Sequence, residues 1–278
     1  GWSLDAAKAK LLVSVTTSNV PNLAAVPAEN LAQGLGEAFP YRASSVLLAY
    51  NPAKVTNPPT SLTDVLNWIT ANPGRFAYNS PSTGGSGQAF VVSVLDLFVP
   101  TDIRKTMTTT FDASLESNWD QGFAKLKDLG PSMYQGGVYP NGNSQVLDLL
   151  ASGQIDMAPV WSDQFISGQA SGKIPTAIKA KQIKDPSFTG GASFLGIPGV
   201  GRNQPTALAL ADWVLSPEAQ ALISTQMAGY PVIGLDKMSA DVKAKFADAD
   251  PANLRMGYAS DYGKDINAKW DSTVPTKR

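Results

Sequence analysis

The sequence predicts an α/β protein of about two domains, and three observations lead there: its length, its apolar fraction, and the alternation of short apolar runs with helical stripes. The chain has 278 residues, roughly two domains at about 150 residues each. Hydrophobic residues make up 43% and charged residues 16%. At this size about 73% of the extended chain's surface is buried on folding, enough for a core without disulfide or metal staples. Segments that read as strands alternate with segments at helix spacing, which is the pattern of layered α/β folds.

Taken in order, Leu11, Leu12 and Val13 read as a short strand, and residues 27–39 as loop with a weak helix. Residues 45–50 (SVLLAY) are an apolar run bounded by Asn51-Pro52 and read as a buried strand. Ser61 is placed to cap a helix in which Leu62, Val65, Leu66 and Ile69 share one face, and Asn72-Pro73-Gly74 ends it. Residues 75–78 read as another strand, followed by a Gly/Ser-rich turn over residues 82–87 and an apolar segment from Phe90. Leu115, Trp119, Phe123 and Leu126 form a helical stripe stopped by Gly130-Pro131. A short helix opens at Asn143-Ser144 and stops at Gly153. Residues 155–161 read as a strand, with Ser162 and Asp163 positioned to cap the next helix. Strands are expected over residues 174–180 and 192–198, and a helix over 205–215. Ser216-Pro217-Glu218 starts another helix with Ser as N-cap and Pro at the first position. Ser239 caps a short helix carrying Val242 and Phe246 on one face. The last 30 residues are mixed, and the polar tail from Ser272 to Arg278 is expected to fray.

Two zeros narrow the chemistry. The sequence has no Cys and no His. The first excludes disulfides, thiolate nucleophiles and Cys-bound zinc or iron–sulfur clusters. The second removes the Ser-His-Asp triad, the commonest general base and the commonest transition-metal ligand. A net charge of −1 gives no broad electrostatic footprint for nucleic acid or an acidic membrane. The absence of thiols fits an oxidising compartment. No apolar run approaches the roughly 18 residues of a membrane span; the longest, residues 90–99, contains Ser93 and Asp96. The chain as given reads as soluble.

The Gly/Ser turn is the most chemically suggestive segment. Small residues let a backbone approach a ligand, and the first turn of a helix presents N–H groups with partial positive charge. No Lys follows it and no G-x-G-x-x-G is present, which argues against a nucleotide-phosphate loop. A plain strand-to-helix turn is the competing reading. Trp119 and Trp213, on apolar helical faces, are expected in the core. Trp161 stands where a strand gives way to a helix, and such strand ends face ligand crevices in open α/β sheets; it reads as an aromatic platform or as core. Catalysis without His would call for a carboxylate pair, yet Asp148, Asp156 and Asp163 are explained as solvated caps. Asp112, Glu116 and Asp120 read as a solvated helix face, and Lys179, Lys181 and Lys184 as a surface charge run.

Five segments occur together in a recognisable order. They are Ala49-Tyr50-Asn51 with Pro59-Thr60-Ser61-Leu62; residues 72–78 (NPGRFAY) leading into the Gly/Ser turn; residues 153–157 (GQIDM) followed by Trp161; residues 194–198 (FLGIP); and residues 211–220 (ADWVLSPEAQ) closing with Gly229-Tyr230-Pro231-Val232. In this order, over roughly residues 40–235, the chain resembles the extracellular solute-binding proteins of ABC importers. The likeness is to the two-lobed group related to polyamine, thiamine and iron binders, and most of all to its YnjB-like branch.

The resemblance implies a type II periplasmic-binding-protein fold: two α/β lobes joined by crossing strands, with a ligand cleft between them. Lobe one would be residues 1–75 and 191–278, and lobe two residues 76–190. The crossings would lie near residues 49–51 and 192–198. The resemblance further implies a cleft faced by Ser82, Thr83, Gly85 and Ser86, by Tyr139, Asn143 and Ser144, and by Trp161 and Asp163, with Tyr50 and Tyr230 near the hinge. Members of the group also carry a further N-terminal portion that supplies the first strands of lobe one, so this chain reads as incomplete there. The implied function is capture of a small polar solute by lobe closure and delivery to an ABC permease, in the periplasm or outside the cell, with or without a lipid anchor. No catalytic residue, metal or cofactor is implied; the partners are a small solute and a membrane permease, with no nucleic acid, and the protein itself is expected to be monomeric. With no Arg or Lys at these corners, a neutral or cationic ring-bearing solute fits better than a strongly anionic one. The alternatives are a carboxylate-based enzyme on the same fold and an interaction module completed by a partner chain.

Overall fold

The computed structural model describes residues 2–246 and 255–275. Its helices and strands run α1 (Trp2–Lys8), α2 (Ala28–Ala32), β1 (Ala38–Tyr50), α3 (Leu62–Ala71), α4 (Gly85–Asp96), α5 (Thr101–Thr109), α6 (Asp120–Leu129), α7 (Asn143–Ala151), β2 (Met157–Trp161), α8 (Ser162–Ala170), β3 (Lys179–Lys181), β4 (Gly190–Gly196), α9 (Gln204–Val214), α10 (Pro217–Gln226), α11 (Ala240–Lys245) and α12 (Tyr262–Thr273). The strands form one sheet in the order β2-β1-β3, with β4 also paired to β1. β2 and β3 both run antiparallel to β1, Val46 opposite Trp161 and Tyr50 opposite both Met157 and Lys179.

The chain divides into two compact units, Gly1–Ser44 with Gly191–Ala247, and Ser45–Gly190 with Asp248–Arg278. The expected lobe boundaries differ: residues 45–75 and the C-terminal helix pack in the second unit. The reason is the apolar face of α3. Leu62, Val65, Leu66 and Ile69 are buried in one cluster with Phe76, Phe90, Trp119 and Trp270. The Pro/Gly stop after α3 marks a helix end and not a domain boundary.

Within the second unit, Ser61 caps α3 as expected, its side chain accepting from the Asp64 amide. Residues 75–78 form no strand; Phe76 makes a single parallel bridge to Met157. That segment is held instead by an ion pair. Arg75 donates from Nε and Nη2 to the two carboxylate oxygens of Asp156, each at 2.7 Å, and from Nη1 and Nη2 to the carbonyls of Gln154 and Gly153. Asp156 is therefore a buried structural partner and not a solvated cap. The strand expected over residues 174–180 is reduced to β3. α12, unrecognised in the sequence, buries Tyr262, Ile266 and Trp270, and the Trp270 indole N–H donates to the Tyr78 hydroxyl at 3.1 Å. Of the tail expected to fray, Ser272 and Thr273 belong to α12, and residues 276–278 lie outside the described residues.

Beside α12, burial and then the neighbouring Asp265 carboxyl hold Glu116 above the usual glutamate range, partly offset by Lys269. A carboxyl whose pKa folding raises contributes stability below its unfolded value of 4.5, and that contribution is lost as pH rises through the folded value. Glu116→Gln is accordingly expected to melt higher than the parent at pH 7, with the difference vanishing in scans below pH 4. A parent that melts higher at pH 7 would contradict this.

In the first unit, Ala43 and Tyr230 exchange two backbone hydrogen bonds of 2.9 and 2.7 Å. The short strand expected at residues 11–13 is a single bridge from Leu12 to Pro198. α10 begins as expected, Ser216 accepting from the Ala219 amide with Pro217 at the first position. The Gln220 side chain donates to the carbonyls of Tyr41 and Val214 and accepts from the Val232 amide. α9 departs from expectation. Only Ala211 of that helix is buried, and Trp213, expected in the core, is 46% exposed beside Leu210 at 58%. Trp119, by contrast, is fully buried as expected. Trp213→Gln is therefore expected to change stability by no more than about 0.5 kcal/mol, whereas Trp119→Ala should cost about 3–5 kcal/mol. Thermal melts of the two variants compare them directly; equal losses would contradict the assignment.

Candidate functional site

The Gly/Ser turn is organised by an asparagine that precedes it. Asn79 is fully buried. Its Oδ1 accepts from Ser86 Oγ at 2.9 Å and from the Gly87 amide at 3.0 Å. Its Nδ2 donates to the carbonyls of Ser80 and Gly84, both at 2.9 Å. One carboxamide thus satisfies donors and acceptors on both sides of the turn, the role for which Asn is favoured in such segments. A Cβ on Gly87 would overlap the Asn79 carbonyl oxygen, and a Cβ on Gly84 would stand 2.9 Å from Asn79 Nδ2. The glycines are there for close approach: the backbone conformation of Gly84, near φ 176°, is ordinary extended chain.

From this turn α4 starts with Gly84, which has no side chain, at its N-cap position; the Gly87 amide of its first turn is taken by Asn79. The start of α7 is tied to it. Asn143 Oδ1 lies 2.8 Å from Ser86 Oγ and accepts from the Ser86 amide at 3.3 Å. The Gly142 amide donates to Thr83 Oγ1 at 3.0 Å, and Thr83 Oγ1 donates to the Ser80 carbonyl. Gly142 takes a positive φ of 99° at the entry to α7, which only glycine adopts freely. α7 has no side-chain cap either. The third helix start is that of α8. Trp161 ends β2 and is the residue before α8; its indole lies against Gly85, where a Cβ would stand 2.9 Å from the ring. Ser162 does not cap α8, as the sequence suggested. It is the first helical residue, and its Oγ accepts from the Ser45 amide at 3.2 Å.

One corner of the second unit therefore gathers the starts of α4, α7 and α8 around amides, hydroxyls and an indole; those of α7 and α8 have no side-chain cap, while the Ser86 and Gly87 amides of α4 are already taken by Asn143 and Asn79. First-turn N–H groups without intrahelical partners carry partial positive charge and favour a carbonyl, carboxylate or other negatively polarised group. Ser82, Thr83 and Ser144 are exposed there, and Gly85, Asn143, Trp161 and Asp163 are half-buried. Ser86 is fully buried and serves to fasten α4 to α7.

Three expected site residues sit elsewhere. The Tyr139 ring packs edge-on against Tyr78 and Trp270, centroids 5.1 and 4.8 Å away, and its hydroxyl is buried. Burial pushes its pKa up, and it is a core aromatic. Tyr50 pairs with Met157 at the opposite end of β2 from Trp161, about 13 Å along the strands. Tyr230, in the first unit, is fully buried with its ring 4.9 Å from Phe246. Asn79, which organises the turn, is a residue that the sequence does not single out; its position directly ahead of Ser80-Pro81 is the available signal.

Among the described residues no group of three or more His, Cys, Asp or Glu is arranged to hold a metal, and no helix is long and apolar enough to cross a membrane. The model of the bacterial extracellular solute-binding protein family matches residues 1–254. No match is found among curated protein sequences. Among solved structures, the chain is similar to an extracellular solute-binding protein from Bordetella parapertussis, at 20% identity and a TM-score of 0.77 over 97% of this chain and 78% of that one. It is also similar to iron-bound HitA from Pseudomonas aeruginosa (21%, TM-score 0.67, 96% and 78%) and to a periplasmic thiamin binding protein (17%, TM-score 0.66, 99% and 75%). At these identities the likeness establishes the fold, that of the type II periplasmic binding proteins.

Proposed function

Because this chain belongs to the bacterial extracellular solute-binding protein family, we propose that it captures a small polar solute outside the cytoplasmic membrane and hands it to an ABC permease. The observation that carries the reading is the corner of the second unit where the starts of α4, α7 and α8 meet beside Trp161, those of α7 and α8 without a side-chain cap. The solute's acceptor group, a carbonyl or single carboxylate, meets the first-turn N–H groups of α7 and the hydroxyls of Ser82 and Ser144. Its ring or apolar body lies on the Trp161 indole. Gly85 keeps that approach open. Of the ligands bound by the similar structures, the organic one suits this corner better than the metal ion, because its groups are amides, hydroxyls and an indole, with Asp163 as the one ionisable side chain among the residues gathered there.

Native mass spectrometry of protein purified without added solute tests the reading. The expected result is a small mass retained under native conditions, released on denaturation, and lost from Trp161→Ala. Bare protein after exposure to growth medium, or equal retention by the variant, would count against it.

A further inference from the structure

The second unit holds a cavity that the proposed solute corner does not use. It has a volume of about 260 Å³, is open to solvent on one side, and is lined by residues that include Gln88 and Val92 of α4, Gly263 and Ile266 of α12, and Thr189 and the exposed Ser260. At about 30 Å³ per water, it has room for a molecule on the order of ten non-hydrogen atoms. Its floor is apolar. Among its described polar side chains, those of Gln88, Thr189 and Ser260 make no hydrogen bond to any described residue. Among the described residues, no Lys, Arg, Asp or Glu lines it. Tyr258 also borders the cavity, but its hydroxyl is committed to Asp96. Two glycines keep it open: a Cβ at Gly263 would stand 3.3 Å from Gln88 Nε2, and one at Gly257 would stand 3.9 Å from the Thr189 methyl.

An apolar cavity with a few uncommitted polar groups at its wall is the general form of a small-molecule site. A carboxamide and two hydroxyls offer both donors and acceptors, and with no charged group among the described lining residues an ion would be desolvated without compensation. We propose that the cavity between α4 and α12 is a binding site for a compact, uncharged molecule carrying both a hydrogen-bond donor and an acceptor, such as a primary amide on a small ring. The site stands independently of the solute corner. The two are nonetheless close, because Gly85, Gln88, Ala89 and Val92 share one face of α4, and Gln88 lies less than one turn from the glycine that touches Trp161.

Nicotinamide and benzoate, near-isosteres that differ in charge, are the probes. In amide-resolved NMR titrations, nicotinamide is expected to shift the resonances of Gly257, Ala259 and Gly263, and benzoate is not. Gln88→Leu, which keeps the volume and removes the carboxamide, should weaken nicotinamide about tenfold. Gly263→Ala should weaken it comparably while leaving the melting temperature level or raised, since Ala replaces Gly in a helix. Trp161→Ala should leave these shifts unchanged, which separates the cavity from the solute corner. Equal response to benzoate, shifts confined to Gly85 and its neighbours, or undiminished affinity in both cavity variants would overturn the proposal.

Discussion

Gly87→Ala is expected to destabilise the protein by about 3 kcal/mol, at the upper end of what overpacking costs. A Cβ there would overlap the Asn79 carbonyl oxygen and stand 2.9 Å from Asn79 Cγ. Neither obstacle is the free end of a flexible side chain: one is backbone, and the other is a carboxamide fixed by four hydrogen bonds. Relief would require α4 to move away from the turn, which breaks the bond from the Gly87 amide to Asn79 Oδ1. In a chain of this size the loss should read as a fall of roughly 6–10 °C in melting temperature. Gly191→Ala is the matched control, since a Cβ there meets nothing within 4 Å. A Gly87→Ala protein that melts with the control would contradict the packing described for the turn.

Asn79→Ala is expected to have an effect of similar size on stability and a larger one on solute capture. The substitution removes the acceptor of Ser86 Oγ and of the Gly87 amide, and the donor to two carbonyls, at a fully buried position. Buried polar groups left without partners cost about 1–3 kcal/mol each, and relaxation around the small side chain recovers part of that; a net loss of about 3 kcal/mol is expected. Because the same carboxamide sets the path of the backbone into α4, the Ser86 anchor of α7 and the seat of Trp161 against Gly85 would shift with it, and the retained small mass should disappear. Asn79→Asp separates the two roles. It keeps both acceptor contacts but sets a carboxylate against the carbonyls of Ser80 and Gly84, so it should bind measurably and melt between the parent and Asn79→Ala. An Asn79→Ala protein that still retained its solute would show that the corner is not the binding surface.

Much of the fold is legible in the sequence where local chemistry acts alone. α3 is specified by its i, i+3, i+4, i+7 apolar face and the Ser61 cap, and α10 by Ser216-Pro217. Elements that depend on distant partners are harder to read. Residues 75–78 have strand composition, but the Arg75–Asp156 pair and a single bridge hold them without a ladder. α12 carries Tyr262, Ile266 and Trp270 at i, i+4 and i+8, a narrow stripe among polar residues that becomes decisive only against Tyr78 and Trp119. Trp213 shows the opposite failure: an apolar helical face predicts burial, yet Trp213 is 46% exposed and Ala211 is the one buried residue of α9. The site follows the same logic. The Gly/Ser turn and Trp161 at a strand end announce themselves by composition and position. Tyr139 and Tyr230 do not, because an aromatic that meets a ligand and one that fills a core look identical in sequence.

Hydrogen exchange with and without the small molecule retained in native mass spectrometry tests the central claim most directly. Added protection is expected in peptides covering residues 80–87, 141–145 and 161–164, where the starts of α4, α7 and α8 meet. Protection confined to other parts of the chain, with these three segments exchanging as in the solute-free protein, would contradict it.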